Sequence, residues 1–107
     1  MNITIQSVKF KESGELNDFV REKVEKLFQL SPEIIRIDVS LKVGAVNNPA
    51  NKWCSLYISH PGENRFVKKK SGSFEESVIQ ATEAMQKILR RQKTKRVNQR
   101  NDPHRQA

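Results

Sequence analysis

The densest positive charge in this sequence lies near its end, in the stretch KILRRQKTKR, residues 87–96. The stretch contains no acidic residue and six basic ones: Lys87, Arg90, Arg91, Lys93, Lys95 and Arg96. Lysine and arginine bind phosphate, and each phosphate that they neutralise on a nucleic acid releases counterions and so adds affinity. Cations also suit the carboxyl end of a helix because of the helix dipole, but one or two would suffice for that. We therefore predict that this stretch contacts a polyanion.

The net charge of +8 is distributed unevenly along the chain. Residues 1–86 carry 12 Lys or Arg and 11 Asp or Glu, whereas residues 87–107 carry 8 Lys or Arg and one carboxylate, Asp102. A basic end of this kind attracts nucleic acid, an anionic membrane or an acidic protein. The end has too few apolar residues for an amphipathic anchor, and no apolar run approaches the roughly 20 residues of a membrane span. We therefore expect no membrane partner.

Residues suited to catalysis or metal binding are sparse. Cys54, His60 and His104 are the only cysteine and histidines, and they cannot build a zinc site of the usual spacing. The four glycines are scattered and do not form a phosphate-binding loop. We predict no enzymatic activity, no metal, no cofactor and no small-molecule substrate. The single cysteine and the absence of a secretory pattern at the amino terminus predict a cytoplasmic protein.

Hydrophobic periodicity predicts six elements. Alternating apolar residues predict strands at residues 2–8, 34–43, 52–60 and 65–70. Apolar residues at three- and four-residue steps predict helices at residues 14–30 and from residue 74, capped by Ser13 and Ser73. The order β-α-β-β-β-α predicts a two-layer α+β domain, in which a four-stranded sheet packs both helices on one face. We assign this domain to residues 1–95 and predict a basic, disordered tail at residues 96–107.

The predicted helices and second strand orient particular side chains. The second strand should bury one face, formed by Ile35, Ile37, Val39, Leu41 and Val43. On the second helix, Lys87, Arg90 and Arg91 fall opposite the apolar seam at 100° per residue. On the first helix, Lys23 lies within the apolar arc and Lys26 at its edge, where a lysine can bury its stem and extend its ammonium along the flank. Side-by-side helices would join the two sets in one positive strip.

The last two strands carry aromatic and basic residues whose role the sequence leaves open. Trp53 and Tyr57 share a strand face; an exposed pair would suit base stacking, but a tryptophan more often fills the core or a sheet edge, which we expect here. Lys68 and Lys70 share one face of the fourth strand and Lys69 has the other. Such lysines either protect an edge strand from aggregation or contact phosphate.

The order of these elements, with the segments LNDFVREKVEKLFQL, IIRIDVSLKV and SFEESVIQATEAMQKILRRQK, resembles the ribosome hibernation-promoting factor family. That family includes the ribosome-associated inhibitor A proteins and also bears the older name sigma-54 modulation proteins. The resemblance covers about residues 1–95. It implies binding to the small ribosomal subunit and its RNA, in the messenger and transfer RNA channel near the decoding centre. It also implies a block of translation that preserves idle ribosomes under stress or in stationary phase.

The resemblance further implies ribosomal RNA contacts for residues on both helices: Lys23, Lys26, Lys87, Arg90, Arg91 and Lys93. We add Lys95 and Arg96 from the same basic stretch. Ala84 departs from the family pattern, since many members carry a lysine there, and VKKKSGS replaces a segment that is often small and acidic. An end at residue 107 resembles the short form of the family. Whether ribosomes pair or are stabilised singly stays open.

Two other functions also suit a basic α+β domain. A double-stranded-RNA-binding module packs two helices on a three-stranded sheet, but it needs a basic helix start, whereas the second helix here begins with the acidic SFEES. A protein-interaction module would dock its tail on an acidic partner such as a transcription factor. For the ribosome-binding interpretation we expect a monomer when the protein is free.

Overall fold

A computed structural model describes the backbone of residues 2–8, 10–11 and 13–101, and the side chains of these residues as far as Arg91. The elements follow the order β-α-β-β-β-α, which confirms the predicted fold class. They are β1 (Ile3–Val8), α1 (Gly14–Leu30), β2 (Arg36–Val43), β3 (Lys52–Ser59), β4 (Arg65–Ser71) and α2 (Phe74–Asn101). Over the described residues, neither helix is long and apolar enough to cross a membrane.

The four strands form one mixed sheet in the order β1-β2-β3-β4. β1 and β2 are parallel, as the crossover through α1 allows, and the other neighbours are antiparallel. One sheet face carries the buried side chains of the three longer strands and packs with both helices: Ile37, Val39, Leu41, Cys54, Leu56, Ile58 and Val67. The opposite face is open to solvent at Tyr57 and Phe66. The domain therefore has two layers and one exposed sheet face.

Local signals set the limits of the two helices. The Ser13 hydroxyl accepts the Leu16 N–H at 3.1 Å, and the Ser73 hydroxyl accepts the Glu76 N–H at 3.2 Å, so both predicted caps are confirmed. α1 ends before Pro32, which lacks the donor that a further turn would need. The apolar stripes of both helices enter the common core: Val20, Val24, Leu27, Phe74, Val78, Ala81, Met85 and Leu89.

The start of β2 differs from the prediction. The strand begins at Arg36, and Ile35 is 61% exposed, whereas Ile34 is only 6% exposed. The Ile34 N–H donates to the Ser31 carbonyl at 3.2 Å, so this residue still belongs to the turn that follows α1. Side chains alternate between the two faces only within the paired strand. In the turn before the strand, Ile34 is therefore buried and Ile35 is exposed.

The far end of α2 also extends beyond the predicted domain. The helix continues to Asn101, into the segment 96–107 that we predicted to be a disordered tail. The apolar seam ends at Leu89, so core packing does not set this limit; lysine, arginine and glutamine have favourable helix propensities and prolong the helix. Residues 102–107 lie outside the described residues, and the tail there stays a prediction.

Candidate nucleic-acid interface

α1 places two lysines on the flank that faces α2. Lys23 is half-buried and Lys26 is exposed, three residues further along the helix. The Lys23 Nζ lies 5.5 Å from the centre of the Phe19 ring, one turn earlier. The lysine stem thus covers apolar surface, as its place in the apolar arc predicted, while its ammonium lies over the aromatic ring.

These lysines line a groove between the two helices. This interhelix groove has a volume of about 200 Å³ and is lined by Lys23, Lys26, Ile79, Thr82, Glu83 and Gln86. The α1 side contributes both cations, and the α2 side contributes one carboxylate. The groove is therefore a narrow, net positive channel on the outer surface of the helical layer.

A second groove lies on the other side of α2, against the edge of the sheet. This strand–helix groove has a volume of about 490 Å³ and is lined by Lys69, Gln80, Glu83, Ala84, Lys87, Ile88 and Arg91. Lys87 and Arg91 are one helical turn apart and exposed. Lys69 comes from β4, on the same strand face as the buried Val67 and Ser71. Three cations from two elements thus surround one groove.

The structure divides the predicted cations between the two sides of α2. Lys23 and Lys26 share the interhelix groove, and Lys87 and Arg91 share the strand–helix groove. Arg90 is exposed and lines neither groove; it lies seven residues after Glu83, so it continues the same outer ridge two turns further along. Glu83 lines both grooves and lies between the two sets of cations.

The three remaining predicted contacts, Lys93, Lys95 and Arg96, belong to α2, but their side chains lie outside the described part of the chain. Lys69 is the residue that sequence reasoning did not assign to this interface. Strand alternation predicts that Lys69 lies on the face opposite Lys68 and Lys70. Its neighbours on α2 depend on how the helix crosses the sheet.

The cations of the two grooves have no carboxylate partner among the described residues. The Arg36–Asp38 and Arg65–Glu63 ion pairs lie away from the grooves, as does His60, whose Nε2 is 3.6 Å from Glu33 Oε1. Glu83 is close enough to line both grooves without forming an ion pair in this part of the chain. The groove cations are therefore available to an external anion.

One cluster, formed by Ser31, Glu33 and His60, has the residue types of a hydrolase site, but it lies away from the two grooves. His60 Nδ1 donates to the Pro61 carbonyl at 2.9 Å, and its Nε2 is hydrogen-bonded to the Ser31 hydroxyl at 3.2 Å. Ser31 and His60 are 7% and 4% exposed and line neither groove. The bond ties the turn after α1 to the end of β3, so we assign the pair a structural role.

The remaining reactive side chain and the metal-binding residue types give no further site. Cys54 is fully buried, and burial raises the pKa of its thiol from 9.0 to about 12, which lowers still further the small thiolate fraction at neutral pH. Within the described ranges, no three His, Cys, Asp or Glu side chains lie close enough together to hold a metal ion. The basic grooves are the candidate site.

Comparison with known families shows the family to which this domain belongs. The family model described as "Sigma 54 modulation protein / S30EA ribosomal protein" matches residues 3–97. The chain belongs to this family. Membership in the sigma 54 modulation/S30EA family confirms the resemblance drawn from the sequence, and the match includes both grooves of α2.

Two solved structures share the fold of this family member. A ribosomal subunit interface protein from Coxiella burnetii has a TM-score of 0.77 at 17% identity, with 88% of this chain and 99% of that chain covered. The Protein Y N-terminal domain from Thermus thermophilus has a TM-score of 0.72 at 15% identity, with 85% and 98% covered. At such identities the likeness shows the fold alone. No curated protein sequence matched the chain.

Proposed function

We propose that this protein is a ribosome hibernation factor. It binds the small ribosomal subunit in the channel of messenger and transfer RNA near the decoding centre, blocks translation, and preserves idle cytoplasmic ribosomes under stress or in stationary phase. Family membership over residues 3–97 supports association with the ribosome. The observation that carries the choice of surface is the set of cations, unpaired among the described residues, in the two grooves of α2.

Electrostatics supports RNA phosphates as the anions that these cations meet. Five cations line the two grooves, Lys23, Lys26, Lys69, Lys87 and Arg91, against the single carboxylate of Glu83. Each cation that neutralises a phosphate releases counterions, so affinity should be high at low salt and fall steeply as salt rises. Phosphate contacts orient a protein on RNA without reading its sequence. The shape of the RNA channel would then fix the position of the domain.

The block of translation would be steric. Both helices share one hydrophobic core with the sheet, so the groove cations stand on a rigid body rather than on loops. A rigid domain held on the phosphates of the channel occupies space that messenger and transfer RNA need. No chemical step is required of the protein.

The start of α2 does not fit a double-stranded-RNA-binding module. The first turn of this helix carries Glu75 and Glu76, both exposed, where that kind of module needs a basic helix start. Carboxylates at a helix start offset the positive end of the dipole that would otherwise attract phosphate. The second half of α2, with Lys87, Arg90 and Arg91, is the part suited to RNA.

A salt titration tests the surface. The double variant Lys87→Gln, Arg91→Gln should weaken binding to purified small subunits and lower the slope of log affinity against log salt by about 1.4 to 1.8. The matched control is Lys11→Gln with Arg21→Gln, two exposed cations outside both grooves. An unchanged slope in the first variant, or an equal loss in the control, contradicts the proposed surface.

A competition experiment tests the location and the function. Small subunits that already hold messenger RNA and initiator transfer RNA should exclude the protein, and the protein bound first should exclude them. In a lysate of stationary-phase cells, the protein should co-sediment with ribosomal particles at low salt and leave them at high salt. Simultaneous binding of all three components would refute the channel location.

A further inference from the structure

The sheet face opposite the helices carries three aromatic side chains. Phe66 is 57% exposed and Tyr57 39% exposed, and the two residues are register partners on β4 and β3. Trp53 lies on the same face, four residues before Tyr57, and is partly exposed. From the sequence we expected Trp53 to fill the core or a sheet edge, whereas the core residues of β3 lie on the other face.

Lysines from both neighbouring strands flank Trp53. Lys42 on β2 and Lys70 on β4 are its direct register partners. The Nζ atoms of Lys68 and Lys70 lie 4.5 and 5.2 Å from the centre of the Trp53 ring. The ring attracts each ammonium, but it does not cancel the repulsion between the two. Among the described residues no carboxylate pairs with these three lysines, so an anion bound beside the ring would relieve that repulsion.

Gly44 allows the tryptophan to lie close to the loop after β2. A β-carbon at Gly44 would lie 2.9 Å from Trp53 Nε1, which is too close, and 3.3 Å from its Cδ1, which is a tight contact. The indole edge therefore packs directly against the backbone of the loop after β2. Any side chain at position 44 would force the indole or the loop to shift.

We propose that this lysine–aromatic face, formed by Lys42, Trp53, Tyr57, Phe66, Lys68 and Lys70, binds an unpaired RNA strand. Bases stack on the aromatic rings, and the lysines neutralise the adjoining phosphates. Trp53 and Tyr57 are four residues apart along β3, about 13 Å, so they can serve different bases. The inference rests on the proposed function only for the source of the strand, the ribosome. It adds a second RNA-binding surface on the side of the domain opposite the two grooves.

Charge and chemistry favour RNA over other occupants of the face. The Asp38 carboxylate on this face is paired with Arg36, 3.1 Å away, and both lie at the other end of β2 from Lys42. An apolar protein partner would bury three lysine ammoniums without a counter-charge, at a large desolvation cost. A strand of RNA supplies a flat aromatic surface and a negative charge at every nucleotide.

The tryptophan itself provides the test, because the chain contains only one. A ten-nucleotide oligoadenylate RNA should quench its fluorescence saturably at low salt. Lys68→Gln with Lys70→Gln should lower the salt slope of that binding by about 1.4. The control variant Lys11→Gln, Arg21→Gln, outside this face and both grooves, matches it in charge and should leave the slope unchanged. No saturable quenching, or equal effects of the two variants, would overturn the inference.

An aromatic variant separates stacking from charge. Phe66→Ala should weaken oligonucleotide binding about five-fold or more, while Val46→Ala, at a loop residue that is 94% exposed, should not weaken it. An effect of Phe66→Ala no larger than that of Val46→Ala would refute the stacking role. Quenching by small subunits would identify ribosomal RNA as the strand. If the oligonucleotide quenches the tryptophan but the protein does not bind small subunits, the proposed function alone is refuted. If the protein binds small subunits but the oligonucleotide does not quench the tryptophan, this inference alone is refuted.

Discussion

Neutralising Glu83 should strengthen binding to the ribosome. Glu83 lines both the interhelix groove and the strand–helix groove, and it lies between the cations of the two. If RNA phosphates enter these grooves, the carboxylate repels them. The variant Glu83→Gln removes this repulsion and keeps the size of the side chain. A gain in affinity is informative because a damaged fold cannot produce it.

The size of the gain follows from Coulomb's law. At about 7 Å in water and 0.1 M salt, one carboxylate raises the free energy of a phosphate by about 0.3 kcal/mol. The lower effective dielectric near a protein surface brings this to about 1 kcal/mol. For two phosphates the variant should gain about 0.6 to 2 kcal/mol, which is about a three-fold to thirty-fold rise in affinity.

The assay is equilibrium binding to purified small subunits at several salt concentrations. Glu25→Gln is the matched control, because Glu25 lies on α1 and lines neither groove. The gain from Glu83→Gln should shrink as salt rises, since the screening length falls from about 10 Å at 0.1 M to about 3 Å at 1 M. If Glu83→Gln binds no tighter than Glu25→Gln at low salt, the phosphates do not enter these grooves.

The remaining predictions concern the core. Leu27→Ala removes a fully buried side chain and should lower the free energy of unfolding by about 2 to 5 kcal/mol in urea titrations. Ile35→Ala, at a residue that is 61% exposed, should change the free energy of unfolding by less than about 1 kcal/mol. Equal effects of the two variants would contradict the observed start of β2. The Cys54 thiol, with its pKa raised to about 12 by burial, should react with a thiol reagent at pH 8 about a thousand-fold more slowly in the native than in the urea-unfolded protein. Stability should also fall as pH rises above 9, because the unfolded thiol ionises first, and Cys54→Ala should remove that part of the decline.

Local sequence patterns were sufficient for most of the fold. Alternation and three- and four-residue spacing predicted all six elements, and Ser13 and Ser73 were identified as caps before any contact was known. These features depend on residues a few positions apart, where side-chain periodicity and backbone hydrogen bonds act directly. Two boundaries without such a local signal, the start of β2 and the continuation of α2 to Asn101, were predicted less well.

The sequence by itself determined that the chain forms an α+β domain with its excess positive charge at the end of the second helix. The tertiary structure alone decided that α2 separates Lys23 and Lys26 from Lys87 and Arg91, and that Lys69 joins the second pair. It also decided that Trp53 lies among lysines from two other strands, on the exposed side of the sheet. These neighbours are far apart in the chain and meet only through strand register and helix packing, which no local pattern specifies.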